Sequence, residues 1–228
     1  MQSAKVKLLI AMIIGVTGGI GSGKSTVLRA VARQGYRVYD CDREAKRIIL
    51  KDDRVRKQMI ALFGEEVYKD GVYQTSLVAA EVFANPDKLQ QLNAIVHPAV
   101  AEDISNQQSA ISNQQSDILF VESAILVSSG LAALCDAVVL ITAPEEERIE
   151  RVLLRAAKRG QHTDVQQVRA RIHAQVLEEE SLRTTPYDLK LVNDDATPIP
   201  EIVEQLMGFV VICQRSEVRN QIITNEEY

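Results

Sequence analysis

A glycine-rich segment early in the chain has the residue types and spacing of a loop that binds phosphate groups. Residues 18–25 read GGIGSGKS, which fits the P-loop pattern G-x-x-x-x-G-K-[ST]. Glycines let the backbone curl so that N–H groups point at phosphate oxygens, and a helix starting there adds partial positive charge. Lys24 is expected to reach the β- and γ-phosphates, and the Ser25 hydroxyl to complete a Mg²⁺ shell. The expected nucleotide-binding residues of this loop are Gly19, Ile20, Gly21, Ser22, Gly23, Lys24, Ser25 and Thr26.

Two carboxylates could act on the group that receives a phosphate. Asp40 and Asp42 follow a short apolar segment that reads as a strand, and ligands bind at the carboxyl ends of strands in open α/β sheets. An acidic group there can orient an acceptor hydroxyl and take its proton during phosphoryl transfer. The alternative is a polar strand end with Asp42 as a helix N-cap. Because the D-x-x-G and N-K-x-D segments of GTPases are absent from the sequence, a switch GTPase is excluded.

A third carboxylate, Glu122, ends another apolar segment, in the position of a Walker-B-like acid. It could hold Mg²⁺ through water or order the acceptor, so Ser25 and Glu122 are the predicted metal-binding residues. The alternative is a glutamate that only caps the strand.

The stretch 148–171 is strongly basic, with seven basic residues against the two acidic residues Glu150 and Asp164. Residues 148, 151 and 155 are three and four apart, so they share one helical face. Such a face beside a phosphate site predicts a lid that supplies arginines and excludes water. The alternative is a solvated face paired with residues 145–147. The basic residues are Arg148, Arg151, Arg155, Lys158, Arg159, Arg169 and Arg171.

Apolar periodicity indicates that strands alternate with helices, which predicts an α/β fold with a parallel sheet covered on both faces. Between about 43 and 104 the chain reads as mostly helical, with breaks near 64, 70–71 and 85–86. The predicted strands are 10–17, 36–39, 118–121, 137–141 and 189–192, and the other predicted helices are 25–34, 145–157, 165–180 and 202–211.

Composition limits the class of protein. The 228 residues are 46% hydrophobic and 25% charged with a formal net charge of −5, which argues against disorder and against binding nucleic acid by bulk charge. Since no apolar run reaches about 18 residues, no membrane span is expected. The three cysteines have no metal-ligand or disulfide spacing, which favours a cytoplasmic protein. The apolar N-terminus reads as a buried strand with a short leader rather than a signal peptide, and Met12 is an alternative start.

A seven-residue duplication precedes the third predicted strand. Residues 104–110 read ISNQQSA and residues 111–117 read ISNQQSD. We expect a duplicated surface insertion between a helix and the strand; a glutamine-rich binding loop is the alternative.

Taken in order, these motifs make the chain similar to the dephospho-CoA kinase family, whose members catalyse the last step of coenzyme A synthesis. The resemblance covers Met12 to about Leu206. It rests on TGGIGSGKST at 17–26, on VYDCD with Ala45 at 38–45, and on NAIVHP at 93–98. The last two segments together are much more particular than the P-loop, which many kinases share.

The resemblance implies ATP-dependent phosphorylation of the ribose 3′-hydroxyl of dephospho-CoA, with Mg²⁺. It implies a three-layer α/β P-loop NTPase fold in which residues 10–42, 118–142 and 185–228 form the nucleotide-binding core. Residues 43–117 would be a helical insertion that binds the coenzyme A moiety, and 145–180 a helical lid. Asp42 becomes the preferred general base, with Asp40 as its neighbour.

The resemblance also assigns residues beyond these segments. Arg151 and Arg155 are similar to the lid's paired arginines, Arg171 and Gln175 to its far side, and Asp188 with Asn193 to the segment near the adenine. The lid is longer than usual, so Arg155 and Arg159 compete for one role. The chain also departs from the family at Val127-Ser128, where members carry an acidic residue, and at Thr75, where they carry an arginine.

The expected partners are ATP and dephospho-CoA, with no nucleic acid and no membrane, in a monomer or small homo-oligomer. The alternatives are another P-loop small-molecule or nucleoside monophosphate kinase, or an ATP-binding regulator without turnover. The strand-end carboxylates speak against the regulator, since binding alone needs no base.

Overall fold

The computed structural model describes residues 11–111, 117–173, 175–184 and 187–226, without the side chains of 111, 176, 177, 179 and 216–226. The chain divides into two compact units, one made of Met1–Tyr39 with Gln108–Tyr228 and one made of Asp40–Gln107. The elements in chain order are β1 (Met12–Thr17), α1 (Lys24–Arg33), β2 (Arg37–Asp40), α2 (Cys41–Lys51), α3 (Asp53–Phe63), β3 (Tyr68–Lys69), β4 (Val72–Tyr73), α4 (Thr75–Ala84), α5 (Pro86–Ile111), β5 (Ile118–Glu122), β6 (Ala137–Thr142), α6 (Glu145–Lys158), α7 (Val165–His173), α8 (Val176–Thr184), β7 (Leu189–Val192) and α9 (Ile199–Glu226).

The larger unit is built on a five-stranded sheet in the order β2-β5-β1-β6-β7. The central strand, β1, pairs in parallel with β5 and β6, and β6 pairs in parallel with β7. Every residue of β1 is buried, as expected for a strand covered on both faces. The predicted α/β P-loop fold is therefore confirmed.

One face of this sheet packs against α1 and α9. Every second side chain of a strand enters the core on this side; in β1 these are residues 12, 14 and 16. Its buried members are Met12, Ile14, Val16, Val27, Leu28, Val31, Ile118, Phe120, Ala137, Val139, Ile141, Leu191, Ile202, Val203, Leu206 and Val210.

The segment that follows β5 packs against the other face of the sheet. Gly15 of β1 is the point of closest approach, because a Cβ there would lie 2.6 Å from Leu126 Cδ2 and 2.7 Å from Cys135 Sγ. A side chain at this position would push the layer away from the sheet.

The sequence predicted the core strands well and one helix wrongly. The predicted strand 189–192 coincides with β7, and the others differ from the structure by one or two residues at their described ends. The predicted helix 165–180 is instead two helices, α7 and α8. Gln175 lies between them, and its side-chain oxygen accepts a hydrogen bond from the Ile20 N–H of the P-loop.

The smaller unit is mostly helical, but it contains a β-hairpin that the sequence pattern does not predict. Residues 70–71, predicted as a helix break, form its turn: Asp70 and Gly71 both have positive φ, at 52° and 76°. The Tyr68 hydroxyl donates to the Ile49 carbonyl at 2.7 Å, which ties the hairpin to α2. The predicted insertion, 43–117, overlaps this unit of 40–107.

The first copy of the duplication, residues 104–110, continues α5, and residues 105–107, 109 and 110 are exposed, as expected of a surface segment. Ile104 is buried, and Gln108 donates to the Ala11 carbonyl at 2.6 Å. Most of the second copy lies outside the described residues. Across the described part of the chain, we find no helix with the length and apolar character needed to cross a membrane.

Candidate active site

The P-loop joins β1 to α1 and depends on glycine for its shape. Gly21 and Gly23 adopt φ angles of 80° and 90°, a region that side chains disfavour. A Cβ on Gly23 would lie 1.9 Å from Asn193 Nδ2. Asn193 follows β7, is 5% exposed and donates from Nδ2 to the Ser22 carbonyl at 2.7 Å. This predicted nucleotide-binding residue therefore fixes the loop's backbone from the side.

Lys24 and Ser25 begin α1 and keep their polar groups at the loop. The ammonium Nζ of Lys24 donates to the Gly18 carbonyl at 2.6 Å and to the Gly19 carbonyl at 3.3 Å. Thr26 is exposed, and its backbone N–H donates to the Gly23 carbonyl at 2.9 Å. The cation is thus held within the loop, where the amides of a helix N-terminus also attract anions.

The two predicted metal-binding residues are brought together. Ser25 Oγ donates to Glu122 Oε1 at 2.6 Å, although the residues are 97 positions apart in the chain. The sheet explains this contact, because Glu122 ends β5 and pairs with Val16 of β1, just before the loop.

A hydroxyl and one carboxylate suit Mg²⁺, which binds through one or two carboxylates and leaves its other positions to water and substrate phosphates. The described residues contain no group of three or more His, Cys, Asp or Glu that could form an all-protein cage. The donor set at Ser25 and Glu122 therefore fits a cation that arrives with a nucleotide.

Helices of the predicted lid hold the first half of the P-loop. Arg148 Nε of α6 donates to the Ile20 carbonyl at 2.9 Å, and the Ile20 N–H donates to Gln175 Oε1 at 2.7 Å. The Ile20 side chain packs on an apolar cluster from α6 and α7 that includes Ile149 and Val168. The segment 145–180 thus supports the loop directly.

Glu178 of α8 was not singled out from the sequence, where it stands in a run of three glutamates. It is 4% exposed, and its carboxylate accepts hydrogen bonds from Thr17 Oγ1 and from the backbone N–H groups of Val127 and Ser128. A carboxylate therefore reaches the segment where the family resemblance placed an acidic residue. Burial, which the sequence does not display, distinguishes it from the exposed Glu180.

Arg151 is held by three acceptors. Its guanidinium donates to the Asn193 carbonyl at 2.8 Å, to Glu147 at 2.9 Å and to Asp195 at 2.7 Å. Arg169 likewise pairs with Glu146. Both arginines therefore have an acidic partner within residues 145–147, as the alternative interpretation of the basic face expected.

Arg155 lies one turn further along α6 in a different environment. Burial, together with the positive charges of Arg159 and Arg171, holds the pKa of the Arg155 guanidinium below its usual value. Within the described residues, these three side chains have no carboxylate partner. We name Arg155, Arg159 and Arg171 the arginine cluster.

A cavity of about 480 Å³ borders the P-loop on the side of β6 and α8. Ser22, Arg148, Gln175 and Glu178 contribute to its wall. Ser22 is 1% exposed, and its Oγ is buried without a hydrogen-bond partner among the described residues.

Asp40 and Asp42 belong to the smaller unit and differ in their engagement. Asp40 is the N-cap of α2, and its Oδ1 accepts from the Arg43 N–H at 3.0 Å. Asp42 lies in the first turn of α2 and is exposed, with no hydrogen bond from the described residues. The cap anticipated for Asp42 is therefore formed by Asp40.

Asp188 is bonded at the amino end of its strand. Its Oδ2 accepts from the Val138 N–H at 2.7 Å, before β7 begins, whereas Asn193 follows the carboxyl end of β7. Asp136 similarly accepts from the Ile13 N–H at 2.6 Å. The whole of β7 thus separates Asp188 from the loop, and both aspartates satisfy backbone donors where strands begin.

The chain is similar to known proteins over most of its length. The chain is 37% identical over 202 residues to dephospho-CoA kinase of Bacteroides fragilis strain YCH46, which covers 88% of this chain and 94% of that protein. It is 42% identical over 142 residues to dephospho-CoA kinase of Porphyromonas gingivalis, covering 62% and 69% of the two chains.

Solved structures share the fold. A Thermus thermophilus protein superposes with a TM-score of 0.71 at 31% identity, covering 89% of this chain and 97% of that one. Dephospho-CoA kinase from Campylobacter jejuni superposes with a TM-score of 0.60 at 20% identity, covering 90% and 98%. The sequence model of the dephospho-CoA kinase family matches residues 12–198. With its P-loop and the Ser25–Glu122 pair in place, this chain belongs to the dephospho-CoA kinase family.

Proposed function

We propose that this protein transfers the γ-phosphoryl group of ATP to the ribose 3′-hydroxyl of dephospho-CoA, which gives coenzyme A and ADP. The observation that carries the proposal is the Ser25–Glu122 contact beside a complete P-loop, in a chain that matches the family over residues 12–198. A regulator that only binds ATP needs no catalytic base, and a kinase for another acceptor is disfavoured by the family match.

The larger unit would bind the nucleotide and its cation. The loop residues Gly19 to Thr26 and Asn193 would bind the phosphates of ATP, with the Lys24 ammonium as their counter-charge. Ser25 and Glu122 would hold Mg²⁺, which, when bound, neutralises charge on the nucleotide phosphates. Their hydrogen bond sets the two oxygens side by side in advance, so little reorganisation is needed.

Asp42 is the proposed general base. Its carboxylate is exposed and accepts no hydrogen bond from the described residues, so it can take a proton from an acceptor hydroxyl. Asp40 is less suited to this role because its carboxylate already caps α2. Asp40 would instead fix the start of the helix on which Asp42 lies.

The arginine cluster would stabilise the transferring phosphoryl group, with Arg155 as the first candidate and Arg159 as the alternative. Like charges in a partly desolvated place raise the free energy of the ligand-free protein, and an anion between them relieves it. Arg151 would be the second arginine of the pair and acts beside the loop through its bond to the Asn193 carbonyl.

Each part of the chain would have its own role in the reaction. Residues 10–42, 118–142 and 185–228 would form the nucleotide core, 43–117 would bind the coenzyme A moiety, and 145–180 would be the lid. We further propose a monomer or small homo-oligomer that lies in the cytoplasm and binds neither nucleic acid nor membrane. The cytoplasmic assignment draws on the cysteines, which form no disulfide among the described residues.

The acceptor is tested by comparing dephospho-CoA with AMP and gluconate as acceptors for ATP and Mg²⁺, while ADP release is recorded. We expect kcat/KM to be at least 100-fold higher for dephospho-CoA, because a site built for one acceptor leaves polar groups unpaired with another. Turnover on AMP or gluconate with none on dephospho-CoA would contradict the proposal.

The base is tested by the pair Asp42→Asn and Asp40→Asn. We expect Asp42→Asn to lower kcat by roughly 10²- to 10⁴-fold with little change in ATP affinity, the usual contribution of a general base. Asp40→Asn is the matched control, since asparagine caps a helix as well as aspartate. The assignment fails if Asp40→Asn is the variant that loses turnover.

A further inference from the structure

Glu178 is a buried carboxylate to which the proposed reaction gives no role. Its 4% exposure is unusual, because glutamate is almost never fully buried unless it is paired. Burying an ionised carboxylate is costly unless hydrogen bonds replace its water. The burial of Glu178 therefore depends on the hydrogen bonds that its carboxylate accepts.

Three donors converge on this carboxylate. Oε1 accepts from Thr17 Oγ1 at 2.9 Å and from the Val127 N–H at 3.1 Å, while Oε2 accepts from the Ser128 N–H at 2.8 Å. These groups come from the end of β1 and from the segment that follows β5. The Glu178 side chain therefore links the end of β1, which leads into the P-loop, to the segment that follows Glu122 at the end of β5.

The end of β1 leaves the P-loop little freedom. Thr17 is fully buried and is followed by Gly18, where a Cβ would lie 2.0 Å from the Ile141 carbonyl oxygen. Beyond it, the Ile20 N–H is bonded to Gln175, three residues before Glu178. Gln175, which directly precedes α8, and Glu178 of α8 therefore bond the chain on both sides of Gly18 and Gly19, and a shift of α8 would strain both hydrogen bonds.

We infer that Glu178 is a positioning residue: through the Thr17 hydroxyl it fixes the start of the P-loop and couples the position of α8 to the affinity for ATP. The inference rests on the proposed function only for the identity of the nucleotide. In this inference Glu178 acts through the Thr17 side chain and the loop backbone, and not by contact with a reacting atom.

The donor geometry makes the substitution Glu178→Gln a sharp probe. The amide oxygen of the new side chain can replace Oε1 and accept from Thr17 and Val127, but its NH₂ group then faces the Ser128 N–H, donor against donor. The reverse orientation of the amide confronts the Val127 N–H instead. Either way one buried backbone donor loses its acceptor, at nearly unchanged side-chain volume.

The experiment compares Glu178→Gln with Glu180→Gln, a matched control because Glu180 is exposed on the same helix. The Kd of ATP is measured by calorimetry without acceptor, together with Tm and the KM of both substrates. We expect Glu178→Gln to raise the Kd and KM of ATP about tenfold, with the KM of dephospho-CoA within twofold of wild type. Glu180→Gln should match wild type throughout.

Thr17→Val removes only the hydroxyl and keeps the side-chain shape, so it tests the same link if Glu178→Gln does not fold. We expect it to raise the Kd of ATP a few-fold, and to add little when combined with Glu178→Gln, because both remove one interaction.

An unchanged ATP Kd in folded Glu178→Gln, or in Thr17→Val if the former does not fold, overturns the inference. So does an equal rise in both KM values with a lower Tm, since that indicates general support of the fold. If wild type binds ATP but does not phosphorylate dephospho-CoA, the proposed function fails while this test of nucleotide affinity stands.

Discussion

The P-loop and the arginine cluster are both expected to contact phosphate, but they differ in how far the protein has already satisfied their polar groups. In the loop, the Lys24 ammonium, the Ser25 hydroxyl and both peptide groups of Ile20 have hydrogen-bond partners. In the cluster, positive charges face one another, and the pKa of Arg155 is lowered by burial and by its neighbours.

The difference indicates two ways of binding one kind of ligand. The loop is preorganised, so its contribution to ATP binding depends on bonds that hold a fixed shape. The cluster is electrostatically unfavourable until an anion arrives, so its interaction grows when negative charge develops nearby. Changes to the loop should therefore weaken nucleotide binding, and changes to the cluster should slow the chemical step.

The largest effect should come from the cluster. Arg155→Ala is expected to lower kcat by roughly 10³-fold, the scale of an arginine that stabilises phosphoryl transfer, while Tm stays level or rises because repulsion is relieved. Steady-state kinetics and thermal unfolding measure both. Arg159→Ala is the matched comparison: if it loses more kcat than Arg155→Ala, the cluster acts through Arg159.

A smaller effect is expected from the metal-binding pair. Glu122→Gln keeps an acceptor for the Ser25 hydroxyl but removes the charge, so the Mg²⁺ concentration for half-maximal rate should rise at least tenfold. A magnesium titration at saturating ATP measures this. An unchanged Mg²⁺ requirement with reduced kcat would instead assign Glu122 to the acceptor.

The smallest effect on kcat is expected at Arg151, although it shares a helical face with Arg155. Arg151→Ala removes the bond to the Asn193 carbonyl and two partly exposed ion pairs, which should lower stability by about 1–2 kcal/mol. We expect the KM of ATP to rise several-fold with kcat within tenfold of wild type. A loss of kcat as large as that of Arg155→Ala would remove the distinction between them.

The sequence predicted the loop better than the cluster for a physical reason. Glycine spacing between a strand and a helix fixes local backbone geometry, so the P-loop could be predicted from the sequence. Parallel strands end at one edge of the sheet, which made the approach of Glu122 to Ser25 predictable as well. Helical spacing, by contrast, treats Arg151 and Arg155 alike. Their tertiary surroundings separate them: Arg151 bonds Asn193 and Asp195 after β7, whereas Arg155 is partly buried beside Arg159 and Arg171.

Two other features lay beyond sequence patterns. The break between α7 and α8 arises where Gln175 bonds the Ile20 N–H, a contact across 155 residues that no local propensity encodes. Glu178 was missed for the same reason, because burial depends on tertiary packing. The hairpin at residues 68–73 was missed because its strands have two residues each, too short for an alternating pattern.

The identity of the phosphorylated product tests the proposed reaction most directly. The protein is incubated with dephospho-CoA, Mg²⁺ and ATP labelled in the γ-phosphoryl group, and the product is characterised by ³¹P NMR and mass spectrometry. We expect one ADP for each coenzyme A formed, with the label on the 3′-oxygen of the ribose. ADP formed without coenzyme A, or label on any other atom, would contradict it.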